Sequence, residues 1–547
     1  AGVTGKRARF GHVMRQGCAL AALLSHDCQI DYIRESNRNL TRDRHMATSR
    51  WQNVDDAFAA AADEAAFWTG RTFDDFLFRP QKTDLQTRRN ISVNSLLTAD
   101  VALDLPIVSS NMDSVTGAHM ARAMAMHGGI GVVHRGMSIA RQASEVGVVK
   151  RSQSAVIVSP LRLPAGTTIR QARRFARQNG VTGILIETAS GSNVLAGLLS
   201  NRDTPVHGAD EERLVDDFMT PLSRLVTGAP DISTDDAERL MFQHRIERLP
   251  LIDGENRIHG LITRRDINLK REQPGASKDS AGHLRCAAAV GARGDYLERA
   301  AALLEAGADL LFIDIAHGHS VIMEQAVAAL RAKFGGVPLV CGNVATGAGA
   351  RFLRDIGADA VKVGVGPGRG CRTRLETAAG VPQLQAIREA YLAVGDSVPI
   401  MADGGVKTDK DIFLALICGA STVMLGSALS GTDEAPGRVI EDPATHLKKK
   451  IYRGMTSPEA VLETLYDNGS SEDLDAALET PPEGQEIQVP YRGSVSSILQ
   501  RIRGHLQSSV SYGGEITLAA VREKVLLDPT AFLVPLSAAA RIESYER

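Results

Sequence analysis

"LERAAALLEAGADLLFIDIAHG", residues 297–318, decides the fold. Its first half is an amphipathic helical pattern that stops at Gly307; its second half is a short apolar run ending at Asp314. Glycine suits the position just past a helix, where the backbone needs positive φ. An unbroken apolar strand suits a parallel sheet covered on both faces. The grammar returns in "ARFLRDIGADAVKVGVGPG" (350–368) and "DIFLALICGASTVMLGSAL" (411–429), with stops at Gly357 and Gly419. Strands are expected near 286–291, 309–315, 337–341, 359–364, 398–402 and 422–426, with two earlier ones in "PIVSSNM" (106–112) and "GIGVVHRG" (129–136). Strands and helices alternating in this number predict an α/β fold, a (β/α)8 barrel. A doubly wound open sheet is the alternative. The barrel is favoured because the polar and glycine-rich segments follow strand ends, where barrel sites are built.

The stretch 152–278 is too long for a loop and repeats itself. "TTIRQARRFARQNGVTGILIE" (167–187) with "LAGLLSNRD" (195–203) pairs with "STDDAERLMFQHRIERLPLID" (233–253) and "IHGLITRRD" (258–266). Each half reads helix, strand, strand, then Gly-Leu and an Arg-Asp ending. The pair resembles tandem cystathionine-β-synthase-type (CBS) modules. That resemblance implies that Ser200, Asp203, Thr263 and Asp266 contact the ribose and phosphate of a regulatory adenine or guanine nucleotide; a purely structural lobe is the other reading. The expected division is therefore a first barrel part at 46–151, the insert at 152–278 and the rest of the barrel at 279–547.

Composition sets the outer limits. The chain has 547 residues, 44% hydrophobic and 23% charged, with a formal net charge of −2. Near-neutral charge gives no reason to expect nucleic-acid or membrane partners, and no apolar run has the length of a membrane span. The six cysteines show no paired spacing, which fits a reducing, cytoplasmic setting. Residues 1–45 read differently: "GKRARFGHVMRQ" is basic and "CALAALL" is apolar, but too short and ill-flanked for a convincing signal peptide. They are expected to be a disordered or artefactual extension, with Met46 as a natural start.

"GVGPGRGCRTR" (364–374) crowds one cysteine among glycines and arginines, directly after an expected barrel strand. A nucleophilic thiol sits near cations or aligned backbone N–H groups. Cys371 is therefore the candidate nucleophile. His317 and His319 suggest a metal, but loop structure is the preferred reading.

Taken with "SSNMDSVTG" (109–117), "GGIGVVHRGMS" (128–138), "DIAHGHS" (314–320), "CGNVAT" (341–346), "ADGGV" (402–406), "VMLGSALSGTDEAPG" (423–437) and "YRGM" (452–455), this loop resembles the IMP dehydrogenase/GMP reductase family over about 72–545. The resemblance implies a purine nucleoside 5′-monophosphate substrate and a nicotinamide cofactor, NAD for IMP oxidation or NADPH for GMP reduction. It implies that Cys371 attacks C2 of the purine to form a thioimidate, and that Thr373 handles water or a leaving group. Asp403 would hold the ribose hydroxyls. Gly405, Gly426, Ser427 and Tyr452 would bind phosphate, and Gly454 and Met455 would flank the base. Ser110, Met112, Asn343 and Gly368 match nucleotide-site positions, and Glu483 matches the residue that reads the purine edge. Asp314, Gly364 and Gly366 would face the dinucleotide, although Asp314 alone also reads as a helix N-cap. Carbonyls of Gly366, Gly368 and Cys371 would line a monovalent-cation site, K+, and a homotetramer or octamer is implied.

Two departures stand out. The family loop reads Gly-Ser-x-Cys-x-Thr, whereas here Arg369 replaces the serine that touches phosphate. Arginine can take over that contact bidentately, or can demand a more anionic ligand. The flap 456–487 also lacks the Arg-Tyr pair whose arginine serves IMP dehydrogenases as hydrolytic base. GMP reductases lack the pair and use a glutamate with the threonine; Glu479 is the acidic candidate here. "SSVSYGG" (508–514) also leans towards reductases. IMP dehydrogenase is the first reading, GMP reductase the second, and a nucleotide-binding regulatory protein with a degenerate flap the third.

Overall fold

The computed structural model describes residues 66–545, apart from 153–156, 158–159, 180, 205–210, 265–266, 268–274 and 469–480. The expected extension 1–45, Asp266 and Glu479 lie outside the described residues. The unit Thr72–Arg547 carries the fold described below.

Eight parallel strands close a barrel. They are β1 (Ile107–Ser109), β2 (Ile130–Val133), β3 (Ala287–Val290), β4 (Leu310–Asp314), β5 (Leu339–Val344), β6 (Ala360–Val363), β7 (Ile400–Asp403) and β8 (Thr422–Leu425). Each lies where the apolar runs predict it. The ring closes where β8 pairs with β1, Val423 opposite Ile107 and Leu425 opposite Ser109, so the open-sheet alternative is excluded. Alternate residues of the strands point inward. Val108, Ile130, Val132, Ala289, Phe312, Val340, Met401 and Met424 form one buried cluster with Leu97 and Leu103 of a hairpin, Ser95–Thr98 with Val101–Leu103.

The helices form the outer ring: α1 (Ala118–Met126), α2 (Ile139–Arg151), α3 (Tyr296–Glu305), α4 (Val321–Phe334), α5 (Gly347–Asp355), α6 (Gln383–Val394), α7 (Asp409–Ile417) and α8 (Val495–Tyr512). α8 packs against both α7 and α1 and so closes this ring too. Caps mark several starts. The Asp411 carboxylate accepts from the Lys407 and Thr408 N–H groups at 2.8 and 2.9 Å. The predicted stops hold, with Gly307, Gly357 and Gly419 at φ 97°, 98° and 139°.

The insert contains two helix–strand–strand units. The first combines a helix, Ile169–Asn179, with a sheet that includes Gly183–Glu187 and Leu195–Ser200. The second combines Thr234–His244 with the hairpin Arg248–Ile252 and Ile258–Thr263. Leu185, Leu195 and Leu198 of the first bury against Ile258 and Leu261 of the second. Where the chain leaves for the insert, Lys150 Nζ binds Asp279 and Asp309 at 2.9 Å each, so its return segment is tied to the start of β4. Among the described residues no helix is long and apolar enough to cross a membrane.

Helix α1 sits unusually close to the sheet. A Cβ on Gly131 of β2 would lie 2.4 Å from Ala121 Cα, a backbone atom that cannot swing aside. Gly131→Ala is expected to cost about 1–3 kcal/mol by overpacking. Gly504→Ala, on α8 with open space around it, should be neutral or stabilising by up to about 1 kcal/mol. Urea unfolding of the two variants checks the contrast.

Candidate active site

Strand ends decide what meets at the top of the barrel. A cavity of about 910 Å³ opens there. Cys371, Thr373, Asp314 and every barrel residue expected at the nucleotide, dinucleotide or cation sites lines it. Ser200, Asp203 and Thr263 instead lie in the insert, where the Ser200 hydroxyl donates to Asp203 Oδ2 at 2.7 Å.

The loop after β6 presents the thiol. Cys371 Sγ lies 3.1 Å from Thr373 Oγ1, and that hydroxyl donates to Glu483 Oε2 at 2.6 Å. Thiol, hydroxyl and carboxylate thus form one hydrogen-bonded chain. The carboxylate that reaches Thr373 is Glu483, the residue expected to read the purine edge. Its segment is clamped to the loop: Arg372 N–H donates to the Glu483 carbonyl at 2.7 Å, and Gln485 N–H to the Gly370 carbonyl at 3.0 Å.

Two of the loop N–H groups expected to favour an anion are engaged elsewhere. Cys371 N–H donates to the Gly368 carbonyl at 3.0 Å, and Arg372 N–H is spent on Glu483. Two of the arginines are braces. Arg372 pairs with Glu376 at 2.6 Å, and Arg374 Nε donates to the Val365 carbonyl at 2.9 Å. Arg369 is exposed and lines the cavity with Lys407 and Arg492.

The cavity floor holds a charge cluster that the motif reading missed. Lys362 of β6 is 2% exposed, and its ammonium binds Asp314 Oδ1 at 2.6 Å and Asp403 Oδ2 at 2.8 Å. Asn111 donates to Asp314 Oδ2 at 2.8 Å, and Asn343 donates to Asp403 Oδ2 at 2.8 Å. Burial alone would raise the Asp314 pKa, but the adjacent Lys362 outweighs it and holds the carboxyl below its usual range. Burial likewise pulls Lys362 down, and its two carboxylates outweigh that and push it up. The N-cap reading of Asp314 fails, since Ser320 precedes α4 as its cap. The signal was present as the single cation inside the apolar run "ADAVKV".

At the ends of β8 and β1, Gly426 and Tyr452, expected at the phosphate, meet Ser110 and Met112, expected elsewhere in the nucleotide site. A Cβ on Gly426 would stand 2.9 Å from Tyr452 Oη and 3.1 Å from Ser110 Oγ. Tyr452 Oη is 3.6 Å from Met112 Sδ, and burial pushes the phenol pKa up, so it remains a donor. Met455 Sδ accepts from Asp113 N–H at 3.3 Å. Ser110 Oγ and Asn343 Oδ1 are buried without a hydrogen-bond partner among the described residues. Two such orphans in a cavity wall call for a polar ligand.

A nucleotide with a second ring system fits a cavity of this size and lining. The proposed cation set fits less well. The Gly368 carbonyl already accepts from Cys371, and Arg374 packs against Gly366. Three neutral carbonyls, one engaged, do not make a closed shell for an alkali cation within the chain. Among the described residues no cluster of acidic, histidine or cysteine side chains could hold a metal ion. His319 packs on Phe352 at 4.8 Å between ring centroids, in keeping with a role in loop structure.

The family model described as IMP dehydrogenase / GMP reductase domain matches residues 70–546. The chain belongs to the IMP dehydrogenase/GMP reductase family. It is 40% identical to an inosine-5′-monophosphate dehydrogenase of Nitrosopumilus maritimus over 84% of this chain and 95% of that protein. It is 41% identical to one of Aquifex aeolicus, over 83% and 92%. Among solved structures it is similar to a cysteine-to-alanine variant of GMP reductase from Trypanosoma brucei in complex with guanosine 5′-monophosphate. That match has a TM-score of 0.80 and 36% identity, covering 88% of this chain and 98% of that one. The GMP reductase of the same organism in complex with guanosine 5′-triphosphate matches with a TM-score of 0.71 and 33% identity, over 87% and 100%.

In this family member the loop after β6 is held by backbone contact as well as hydrogen bonds. A Cβ on Gly454 would lie 2.6 Å from the Gly370 carbonyl oxygen. Gly454→Ala should push that carbonyl and the neighbouring Cys371 aside. Turnover should fall by on the order of a hundredfold, as for reacting groups misplaced by about 1 Å, with the melting temperature nearly unchanged. Steady-state kinetics beside thermal unfolding checks both.

Proposed function

We propose that the chain is an oxidoreductase acting at C2 of a purine nucleoside 5′-monophosphate, oxidising IMP to XMP in guanine nucleotide synthesis. The Cys371–Thr373–Glu483 chain at the cavity wall carries the chemistry at C2, and the 40–41% identity to IMP dehydrogenases over most of the chain favours oxidation. The Cys371 thiol adds across the C2–N3 double bond, its sulfur to C2 and its proton to N3. The hydride then leaves C2, and the bound nicotinamide of NAD supplies the acceptor for its two electrons. Water attacks the resulting thioimidate, its proton passes through the Thr373 hydroxyl to Glu483, and the C–S bond breaks to release the thiol. The absence of an Arg-Tyr pair leaves Thr373 and Glu483 to carry this proton transfer. Asp403 accepts from the ribose hydroxyls. Ser110, Gly405, Gly426, Ser427 and Tyr452 receive the phosphate, with Arg369 in place of the family serine. Gly368, Met112, Gly454 and Met455 surround the base, and Asp314 with Gly364 and Gly366 faces the dinucleotide.

A second reading is GMP reduction with NADPH. The missing Arg-Tyr pair and the likeness to the trypanosomal reductase favour it. In that direction the Cys371 sulfur bonds to C2, ammonia leaves C2 as a proton arrives along the same chain, the hydride that NADPH would supply adds to C2, and the C–S bond breaks to release the thiol. A regulatory protein without activity has less support, because thiol, hydroxyl and carboxylate remain in register.

We further propose that the insert is a CBS pair taking adenine or guanine nucleotides at Ser200, Asp203, Thr263 and Asp266. A potassium ion near Gly366, Gly368 and Cys371 would have to draw further oxygens from outside this chain, as a tetramer or octamer could provide. The described cysteines are unpaired, which supports a reducing compartment such as the cytoplasm.

Incubation with IMP plus NAD, and separately with GMP plus NADPH, separates the readings by absorbance of the reduced cofactor. The first pair should turn over. Turnover of the second pair alone selects the reductase, and turnover of neither supports the regulatory protein. Cys371→Ser should abolish turnover and covalent trapping while nucleotide affinity stays within about threefold. Replacing 152–278 by a short linker should preserve turnover but remove its response to adenine and guanine nucleotides. An inactive but folded deletion variant would overturn the regulatory assignment.

A further inference from the structure

Lys362 takes no direct part in the chemistry above, yet the barrel is built around it. Its side chain rises from β6 into the cavity floor, where an apolar residue would suit the buried strand. The neighbouring strand makes room. Gly342 of β5 is its register partner, and a Cβ there would stand 2.6 Å from Lys362 Cβ. Burying an ammonium is costly unless it is well paired. Here it has two carboxylates, and each carboxylate also has an amide donor, Asn111 or Asn343.

The bonds are unevenly placed. Asp403 Oδ2 accepts from both Lys362 and Asn343, whereas Oδ1 has no partner among the described residues. Asp314 uses both of its oxygens, Oδ1 on Lys362 and Oδ2 on Asn111. The ammonium therefore fixes one carboxylate with an oxygen to spare and joins it to a second in the same cavity.

We infer that Lys362 is a positioning residue: it holds Asp403 so that Oδ1 is presented to the ribose diol of the nucleotide, and it joins that contact to Asp314. The inference rests on the proposed role of Asp403. A lysine needed only to keep the barrel folded would affect every ligand alike. A lysine that presents Asp403 to a diol affects ligands that have the diol.

Calorimetric titration without dinucleotide tests this, using IMP, GMP and their 2′,3′-dideoxy analogues. Lys362→Met should weaken binding of the ribonucleotide by about tenfold or more, the scale of a charge-assisted hydrogen bond. The dideoxy analogue should change by less than about twofold. Lys362→Arg, which keeps the charge, should recover most of the loss. An unchanged ribonucleotide affinity, or an equal loss for both ligands, overturns the inference. Should Lys362→Met fail to fold, Lys362→Met combined with Asp314→Asn removes one carboxylate along with the ammonium, and the same comparison applies. Failure of the unmodified chain to bind IMP or GMP removes the nucleotide reading itself, and the inference with it.

Discussion

Closure of the barrel between β8 and β1 is the constraint on which the site depends. A parallel strand left at an edge would expose unpaired N–H and C=O groups, and closure removes both edges. The register that closes the ring sets Leu425 opposite Ser109. The residues one step beyond, Gly426 and Ser110, are thereby neighbours, and Ser110 N–H donates to the Leu425 carbonyl at 3.0 Å. The β6–β7 pairing works in the same way. Gln383 donates to the Val363 and Asp403 carbonyls at 2.8 and 3.1 Å and fixes the start of the Cys371 loop beside Asp403. Segments far apart in the chain meet because eight strands must share one register.

Polarity changes sharply along the same strands. Phe312 and Met401 belong to the apolar interior, while Asp314 and Asp403, two residues further along, belong to the ionic floor. Lys362 sits between those carboxylates. A lone buried carboxylate would tend to protonate and lose its value as an acceptor. With the ammonium beside it, Asp314 stays ionised in spite of burial. The barrel thus keeps a dry core below and a charged acceptor surface above.

The fold was legible because its signals are local. Each barrel strand is a short apolar run, the helix stops at Gly307, Gly357 and Gly419 are glycines at positive φ, and both features are visible within a few residues. The site was legible where a motif carries it, and each of those motifs places at least one residue at one cavity. Three features were hidden for physical reasons. The Thr373–Glu483 bond joins residues 110 apart in sequence, and only the folded chain brings them together. Lys362 reads as a stray charge in an apolar run until its two partners are seen. Arg372 and Arg374 read as cations favouring a thiolate, but charge alone does not show direction, and their guanidinium groups are turned to Glu376 and to loop carbonyls.

That missed bond also explains why the direction of the reaction is hard to read from the residues. Under the proposed chemistry both directions pass through a sulfur–C2 bond and a hydride transfer at the same carbon. They differ in the proton. Oxidation needs a proton taken from water, and reduction needs one delivered to departing ammonia. A thiol, a hydroxyl and a carboxylate in one hydrogen-bonded line can move a proton either way, because each member can both accept and donate in turn. Where an arginine base swings in from a flap, the chain is committed to hydrolysis. Here no Arg-Tyr pair is present, and the acid–base line is neutral as to direction. The choice then falls to the ligands: which group C2 carries, and whether the nicotinamide arrives oxidised or reduced.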